Sequence, residues 1–347
     1  MAQGKMSPAE RVKAALAGYD FDVYPVIAPL TITNVEAMEM ARVFYPSVYS
    51  NAMEMAELAA TGHDYFGFDS VSPYFSIHLE AAALGAEIDW KKDYSMPELV
   101  KKPFNSLDDF KIHELFLHKQ EFQQLLKACE IMRSKYKGRV PIIGKVAGPW
   151  TLLFLLHGVE NLELDSILEP EKLKKIISEI AVIPMKFAEA QFNAGADMVF
   201  WVDLIKSTNV SAAIYEEFLL PVHKKAAAIL QNMGSTILGI PNNVMDRFDS
   251  IFKTGFKTFY MSSKNDIASI IKQAKSTITI TGCINVPIIL CQDSQEMIRA
   301  EVEATINKGV RLIVPEYVLP VTVPTKNIRC LVESAHRLKP NSKGLNH

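Results

Sequence analysis

The chain predicts a (β/α)8 TIM barrel of the α/β class, and three observations carry that reading. From about residue 140 onward, short β-rich runs alternate with helical stretches, the pattern of a parallel sheet wrapped by helices. Six such runs are "VPIIGKVAGP" (140–149), "DMVFWVD" (197–203), "STILGI" (235–240), "KTFYMSS" (257–263), "TITITGCI" (277–284) and "RLIVPEY" (311–317). Two earlier runs, "VYPVIAPL" (23–30) and "FDSVSPYF" (68–75), bring the number to eight.

The elements follow in order. The opening "MAQGKMSPAERVKAALAG" reads as a helix with Ser7 as N-cap, Pro8 in the first helical position and Glu10 closing a capping box. It is not a signal peptide. After the first two runs, the stretch from Ala86 to Arg139 reads as a polar, largely helical insertion, a cap over the barrel, with "KKPFNSLDDFKIHE" as its linker-like part. No Gly/Ser-rich joint and no repeat longer than the β-α unit sets off a second domain, so residues 1–347 are expected to form one barrel domain.

Composition narrows the function. With 347 residues and 49% hydrophobic content, the chain can bury a sizeable core. Lys+Arg of 37 against Asp+Glu of 39 gives no broad basic field, which disfavours nucleic acid and anionic lipid as partners. The longest apolar run, "GPWTLLFLLHGV", is interrupted and falls short of the roughly 20 residues that cross a bilayer. Four scattered cysteines (Cys129, Cys283, Cys291, Cys330) form no CxxC or HxC pair, so neither a disulfide framework nor a thiolate zinc site is signalled and a reducing cytoplasm is the expected setting.

In barrels of this kind the chemistry sits at the C-terminal ends of the strands. That rule selects Tyr74, Phe75, His78, Trp150, Asp203, the stretch from Gly239 to Asn243, Cys283, Glu316 and Tyr317.

With these positions in hand, the sequence resembles the uroporphyrinogen decarboxylase superfamily, and within it the corrinoid-dependent methyltransferases related to methylcobalamin:coenzyme M methyltransferase. The likeness is carried by "SPAERVKAALAG", "NAMEMAELAATGHDYFGFDSV", "GKVAGPWTLLFLLHGVENL", "AGADMVFWVD" with "YEEFLLPVHKK", and "LIVPEYVLPVTVPTKNIRCLVESA", in order along nearly the whole chain. In the thiol-methylating members, the fifth strand ends in a His-x-Cys pair and the eighth supplies a further Cys; together they bind a zinc that turns the acceptor thiol into a thiolate. Here the matching positions are Gly239, Pro241 and Tyr317, so none of these ligands remains. Glycine and proline have no side-chain donor for zinc. The decarboxylase branch, as the resemblance describes it, needs an arginine-rich N-terminal segment and an aspartate near the first strand, and "VYPVIAPLTITN" offers neither.

The resemblance therefore implies a corrinoid (cobalamin) carried by a separate corrinoid protein, with no zinc at the thiol-activating site. A small-molecule methyl donor, in particular a methoxylated aromatic, is the expected substrate, as in the aryl methyl ether O-demethylase methyltransferases. Breaking the C–O bond of such a donor leaves a phenolate, whose conjugate acid has a pKa of about 10. Acid or oxyanion assistance at that oxygen is typically worth roughly 10²- to 10⁴-fold. The candidates for it are Asp203, Glu316, Tyr317 and His157. The ring pocket is expected from Tyr74, Phe75, Trp150 and Trp201, with His78, Asn242 and Cys283 as further substrate contacts. Bland roles compete for these candidates: a helix cap for Asp203, a rim residue paired with a lysine for Glu316, a satisfied structural histidine for His157, a solvated loop histidine for His78, core packing for the aromatics and small-residue packing for Cys283.

An alternative zinc set of Glu301, Glu316 and His336 is disfavoured, because Glu301 should lie in the helix before the eighth strand and His336 in the helix after it. Transfer to a non-thiol acceptor such as tetrahydrofolate, and a non-catalytic barrel that only docks the corrinoid protein, stand as the other functional readings. Monomer and homodimer both stay open.

Overall fold

Eight staves close the barrel, six of them as regular strands. The computed structural model describes residues 5–29, 31–92, 96–112, 114–274, 278–290, 294–316 and 318–340. Strands β3 (Ile143–Ala147), β4 (Met198–Val202), β5 (Ser235–Gly239), β6 (Thr258–Tyr260), β7 (Thr279–Ile284) and β8 (Leu312–Pro315) form one parallel sheet in chain order. The two early runs complete the ring through single bridges, Val26 to Ile313 of β8 and Val71 to Ile142 beside β3. Asp69 N donates to Val26 O at 2.7 Å, joining these two staves to each other. Proline explains their brevity: Pro25, Pro29 and Pro73 have no N–H to give to a ladder.

Strand parity sets what faces inward. Ile143, Met198, Phe200, Val202, Ile237, Leu312 and Val314 pack with Ile27 inside the barrel, while Val146, Val199, Trp201, Leu238 and Ile313 belong to the layer between strands and helices. The N-terminal helix, Pro8–Leu16, has the Ser7/Glu10 capping box its sequence calls for, and its Val12 and Ala15 join the interior cluster, so it plugs the N-terminal end. Arg11 is buried there. It pairs with Asp22 at 2.6 Å and with Asp69, whose Oδ2 meets His336 Nε2 at 2.8 Å.

The stretch expected as a helical cap is only partly helical. It contains an antiparallel hairpin, β1 (Glu87–Asp89) with β2 (Glu98–Lys101), two short helical turns and the long helix Gln120–Tyr136. That helix packs against Ala52–Asp64 and Val182–Asn193 in the outer ring. No helix among the described residues is long and apolar enough to cross a membrane. Cys129, Cys283 and Cys330 are buried free thiols, and Cys291 lies outside the described residues.

Candidate active site

Two flanks of the C-terminal mouth differ in how their polar groups are used. On the flank formed by β4 and the helices behind it, Asp203 is fully buried. Its Oδ1 accepts from Thr151 N at 2.8 Å and from Thr151 Oγ1 at 3.0 Å, and its Oδ2 meets His223 Nε2 at 3.1 Å. An acceptor-only carboxylate there assigns the proton to Nε2, which leaves Nδ1 to accept from the Tyr215 hydroxyl at 3.1 Å. Gly148 is required beside it, because a Cβ at that position would overlap the Asp203 carboxyl. Asp203, expected to meet the substrate, is instead the hub that ties the helix starting at Pro149 and the helix Leu220–Leu230 to the end of β4.

On the opposite flank, between the second stave and β3, the groups are less complete. Lys145 sits in the middle of β3, and parity turns it inward, since its neighbour Gly144 faces Gln191 of the outer helix. Its Nζ lies 5.0 Å above the centre of the Tyr74 ring and forms no ion pair or hydrogen bond among the described residues. The Tyr74 hydroxyl donates to Glu80 Oε1 at 2.6 Å, and Ala147 N donates to the same oxygen at 2.7 Å. Glu80 Oε2 is buried with no partner among the described residues. His78, half-buried at the start of the same short helix, is held by Ser76 Oγ at 2.9 Å.

Burial governs the titration of this cluster. It raises the Glu80 carboxyl to about 7, against the opposing bonds from Tyr74 and Ala147 and the nearby Lys145 charge. It lowers the Lys145 ammonium to about 8, opposed by Glu80. The His78 imidazole is lowered too, by burial first and then by the Lys145 charge. Burial and the Glu80 charge push the Tyr74 phenol well above its ordinary range.

The remaining expected residues are distributed as follows. Glu316, after β8, is buried; its Oε1 accepts from Ser263 N, and its charge adds to the burial that raises the neighbouring Cys283 thiol to about 12. Tyr317 lies outside the described residues. Phe75 starts an aromatic row that continues through Tyr45 (6.2 Å), Tyr49 (5.1 Å from Tyr45) and Trp90 (4.8 Å from Tyr49). Asn242 adopts φ 86° and receives Lys264 Nζ at 3.4 Å. Trp150 is buried in the first turn of its helix.

Two expectations, Trp201 and His157, are corrected by placement. Trp201 faces the helices, edge-on to His223 at 6.2 Å, because Phe200 takes the inward position of β4. His157 caps the far end of the helix Pro149–Leu156, roughly 12 Å from its mouth end at 1.5 Å per residue. There its Nε2 meets Asp165 at 2.7 Å, the pairing of a structural histidine. Glu301, Glu316 and His336 do not converge, since His336 pairs with Asp69 at the opposite end of the barrel from Glu316.

Lys145 and Glu80 were not singled out by sequence reasoning. A signal was present: "IIGKVAG" puts a charge inside a run otherwise made of apolar residues and glycine, and a fully buried lysine is rare without a partner.

The thiol-activating zinc does not fit these residues. Gly239 and Pro241 offer no donor, and a Cβ at 239 would collide with the Phe200 ring, which stands edge-on to Tyr260 at 5.6 Å. The Phe200 ring thus fills the space that any side chain at 239 would need. Among the described residues no group of three or more His, Cys, Asp or Glu side chains could hold a metal ion.

The chain thus places an inward-facing lysine on β3 and a buried carboxyl on the helix that follows the second stave, near the strand ends where (β/α)8 barrels carry their sites. The chain matches the uroporphyrinogen decarboxylase family over residues 7–338 and belongs to it. Several of its relatives within that family are methyltransferases. A methylated-thiol–coenzyme M methyltransferase of Methanosarcina mazei is 30% identical over 224 residues, covering 64% of this chain and 61% of that protein, so the chain spans less than two thirds of that relative. A methylcobamide:CoM methyltransferase of the same organism is 26% identical over 335 residues, 95% of this chain and 97% of that protein. The fold is that of a methyltransferase from Methanosarcina mazei, with TM-score 0.88 and 23% identity over 96% of this chain and 99% of the other.

Proposed function

We propose that this barrel moves a methyl group from a methoxylated aromatic to the Co(I) of a corrinoid carried by a separate protein docked over the mouth. One observation carries the choice of a donor-side reaction. The position that supplies an imidazole for thiol activation is a glycine, and its space is taken by the Phe200 ring.

The corrinoid supplies the nucleophile that receives the methyl group. The chain's own residues orient the donor and receive the departing oxygen. Phe75 and the row behind it offer an aromatic wall on which a flat ring can rest. Glu316, with Tyr317 next to it in sequence, stands on the eighth-strand side as the hydrogen-bonding candidate for a ring substituent of the donor. Asp203 keeps this mouth in shape through Thr151 and His223.

The test mixes purified protein, a reduced corrinoid protein and a panel of methoxybenzoates, and follows the Co(I) absorbance. Donor-dependent loss of Co(I) is expected; a flat trace across the panel rejects the donor class. The names of the relatives make coenzyme M the competing acceptor. Consumption of methylcobalamin dependent on coenzyme M, in protein stripped of zinc and resupplied with it, would establish that reading instead. Tetrahydrofolate in the same assay tests the non-thiol acceptor.

A further inference from the structure

We propose that Lys145 is the oxyanion-receiving group of this barrel: its ammonium, held over the Tyr74 ring and flanked by Glu80, takes the anionic oxygen of a phenolate on the inner side of the mouth. The inference rests on the aryl ether reading for its substrate class, and its geometry stands independently of it.

Lys145 projects from the middle of a buried parallel strand into the barrel, where an unpaired cation is unfavourable without a ligand. Its nearest support is the face of Tyr74, a contact that orients a cation without neutralising it. Glu80 is the neighbouring counter-charge, yet one of its oxygens is committed to Tyr74 and Ala147 and the other is buried without a partner among the described residues. Compare Asp203, where both carboxylate oxygens meet donors. The flank is assembled as half of an interaction: the Lys145 ammonium has no ion-paired anion among the described residues, and the free Glu80 oxygen has no donor there.

A phenolate is the anion whose acidity matches. In the donor reaction the C–O bond breaks, its electron pair stays on the aryl oxygen, and the methyl group passes to the two-electron nucleophile Co(I). The aryl oxygen then carries one negative charge beside a lysine that burial holds near 8, about two units below a free phenol. Proton transfer from Lys145 to that oxygen is downhill, and the neutral phenol leaves. Lys145 regains its proton from water. An unshifted lysine, with a pKa close to that of the phenol, has no such driving force.

The experiment separates this inference from the methyl transfer itself. Full-length protein is titrated between pH 5 and 10 with 4-nitrophenol, whose phenolate absorbs in the visible, and no corrinoid is present. Wild-type protein is expected to lower the apparent pKa of bound nitrophenol by at least about one unit, equivalent to a tenfold or greater preference for the phenolate. Lys145→Met should abolish the shift, and Lys145→Arg should retain most of it; circular dichroism confirms that both fold. Absence of a shift in the wild type, or a shift that survives in Lys145→Met, overturns the proposal. A shift that disappears in Lys145→Met while no aryl methyl ether consumes Co(I) keeps the oxyanion site and rejects the donor reaction. With a competent donor, Lys145→Met should lower kcat by roughly 10²- to 10³-fold, the usual loss on removing one oxyanion donor.

Discussion

The Asp203 flank and the Lys145 flank lie in the same barrel mouth, both buried and both charged, yet they are finished differently. Asp203, Thr151, His223 and Tyr215 close a chain in which each of the carboxylate oxygens has a donor. Lys145 has an aromatic face and no ion pair among the described residues, and Glu80, the neighbouring charge, has one satisfied oxygen of two there. A buried polar network completed by the protein fixes shape; one left incomplete carries a desolvation penalty that a ligand can offset. The contrast separates the residues that hold the mouth from those expected to work in it, although both groups look alike as buried polar residues at strand ends.

Breaking the complete network should give the largest effect. Asp203→Ala leaves His223 and Thr151 without their acceptor and is expected to destabilise the fold by about 3–5 kcal/mol, read from the urea midpoint. Loss of activity should follow loss of folded protein. Were Asp203→Ala as stable as wild type, the contrast between the flanks would not hold.

The incomplete flank should respond with the opposite sign. Its two shifts fix a pH signature. Glu80 rises from 4.5 to about 7 on folding, so the native state holds a proton the unfolded state has lost, and stability contributed by this group falls by about 3 kcal/mol as pH climbs from 4.5 to 7. Lys145 drops from 10.5 to about 8, so the unfolded state holds the extra proton and stability rises again between 8 and 10.5. Among the described residues, Tyr74, His78 and Ala147 N are the groups that face this pair. Unfolding free energies across this range should dip between about pH 7 and 8, and Glu80→Gln should remove the acidic limb of the dip. Next in size, Lys145→Met should raise stability by about 1–3 kcal/mol at pH 7.5 while turnover collapses, a split that thermal melts and kinetics on the same sample would show. A destabilised variant would place Lys145 among the structural residues.

A smaller effect is expected outside both flanks. Gly239→Ala forces a methyl group into the Phe200 ring and should cost about 1–3 kcal/mol, as for other overpacked sites, with little change in kcat per folded molecule.

The barrel was legible because its strands are short apolar runs set between helical patterns, and parallel sheets covered on both faces read that way. Its first two staves were legible as runs but not as regular strands, since prolines limit each to a bridge. The site was legible as a place, through strand ends and the family resemblance, more than as a set of residues. Trp201 attracted attention as a large aromatic, whereas parity gives the interior to Phe200. Glu80 was hidden in the helical pattern "HLEAAA", where its reach back to Ala147 depends on how that helix sits against β3. Lys145 was visible as an anomaly of its strand, but only tertiary structure shows that it forms no ion pair among the described residues and has Glu80 as its neighbouring charge.

The ring of Phe200 pressed against Gly239 also constrains what this barrel can become. A histidine introduced at 239 has nowhere to stand until residue 200 shrinks, and a shrunken residue 200 alone opens a void in the barrel centre. Placing a histidine at 239 therefore demands coordinated replacements at 239 and 200, each expected to be harmful by itself.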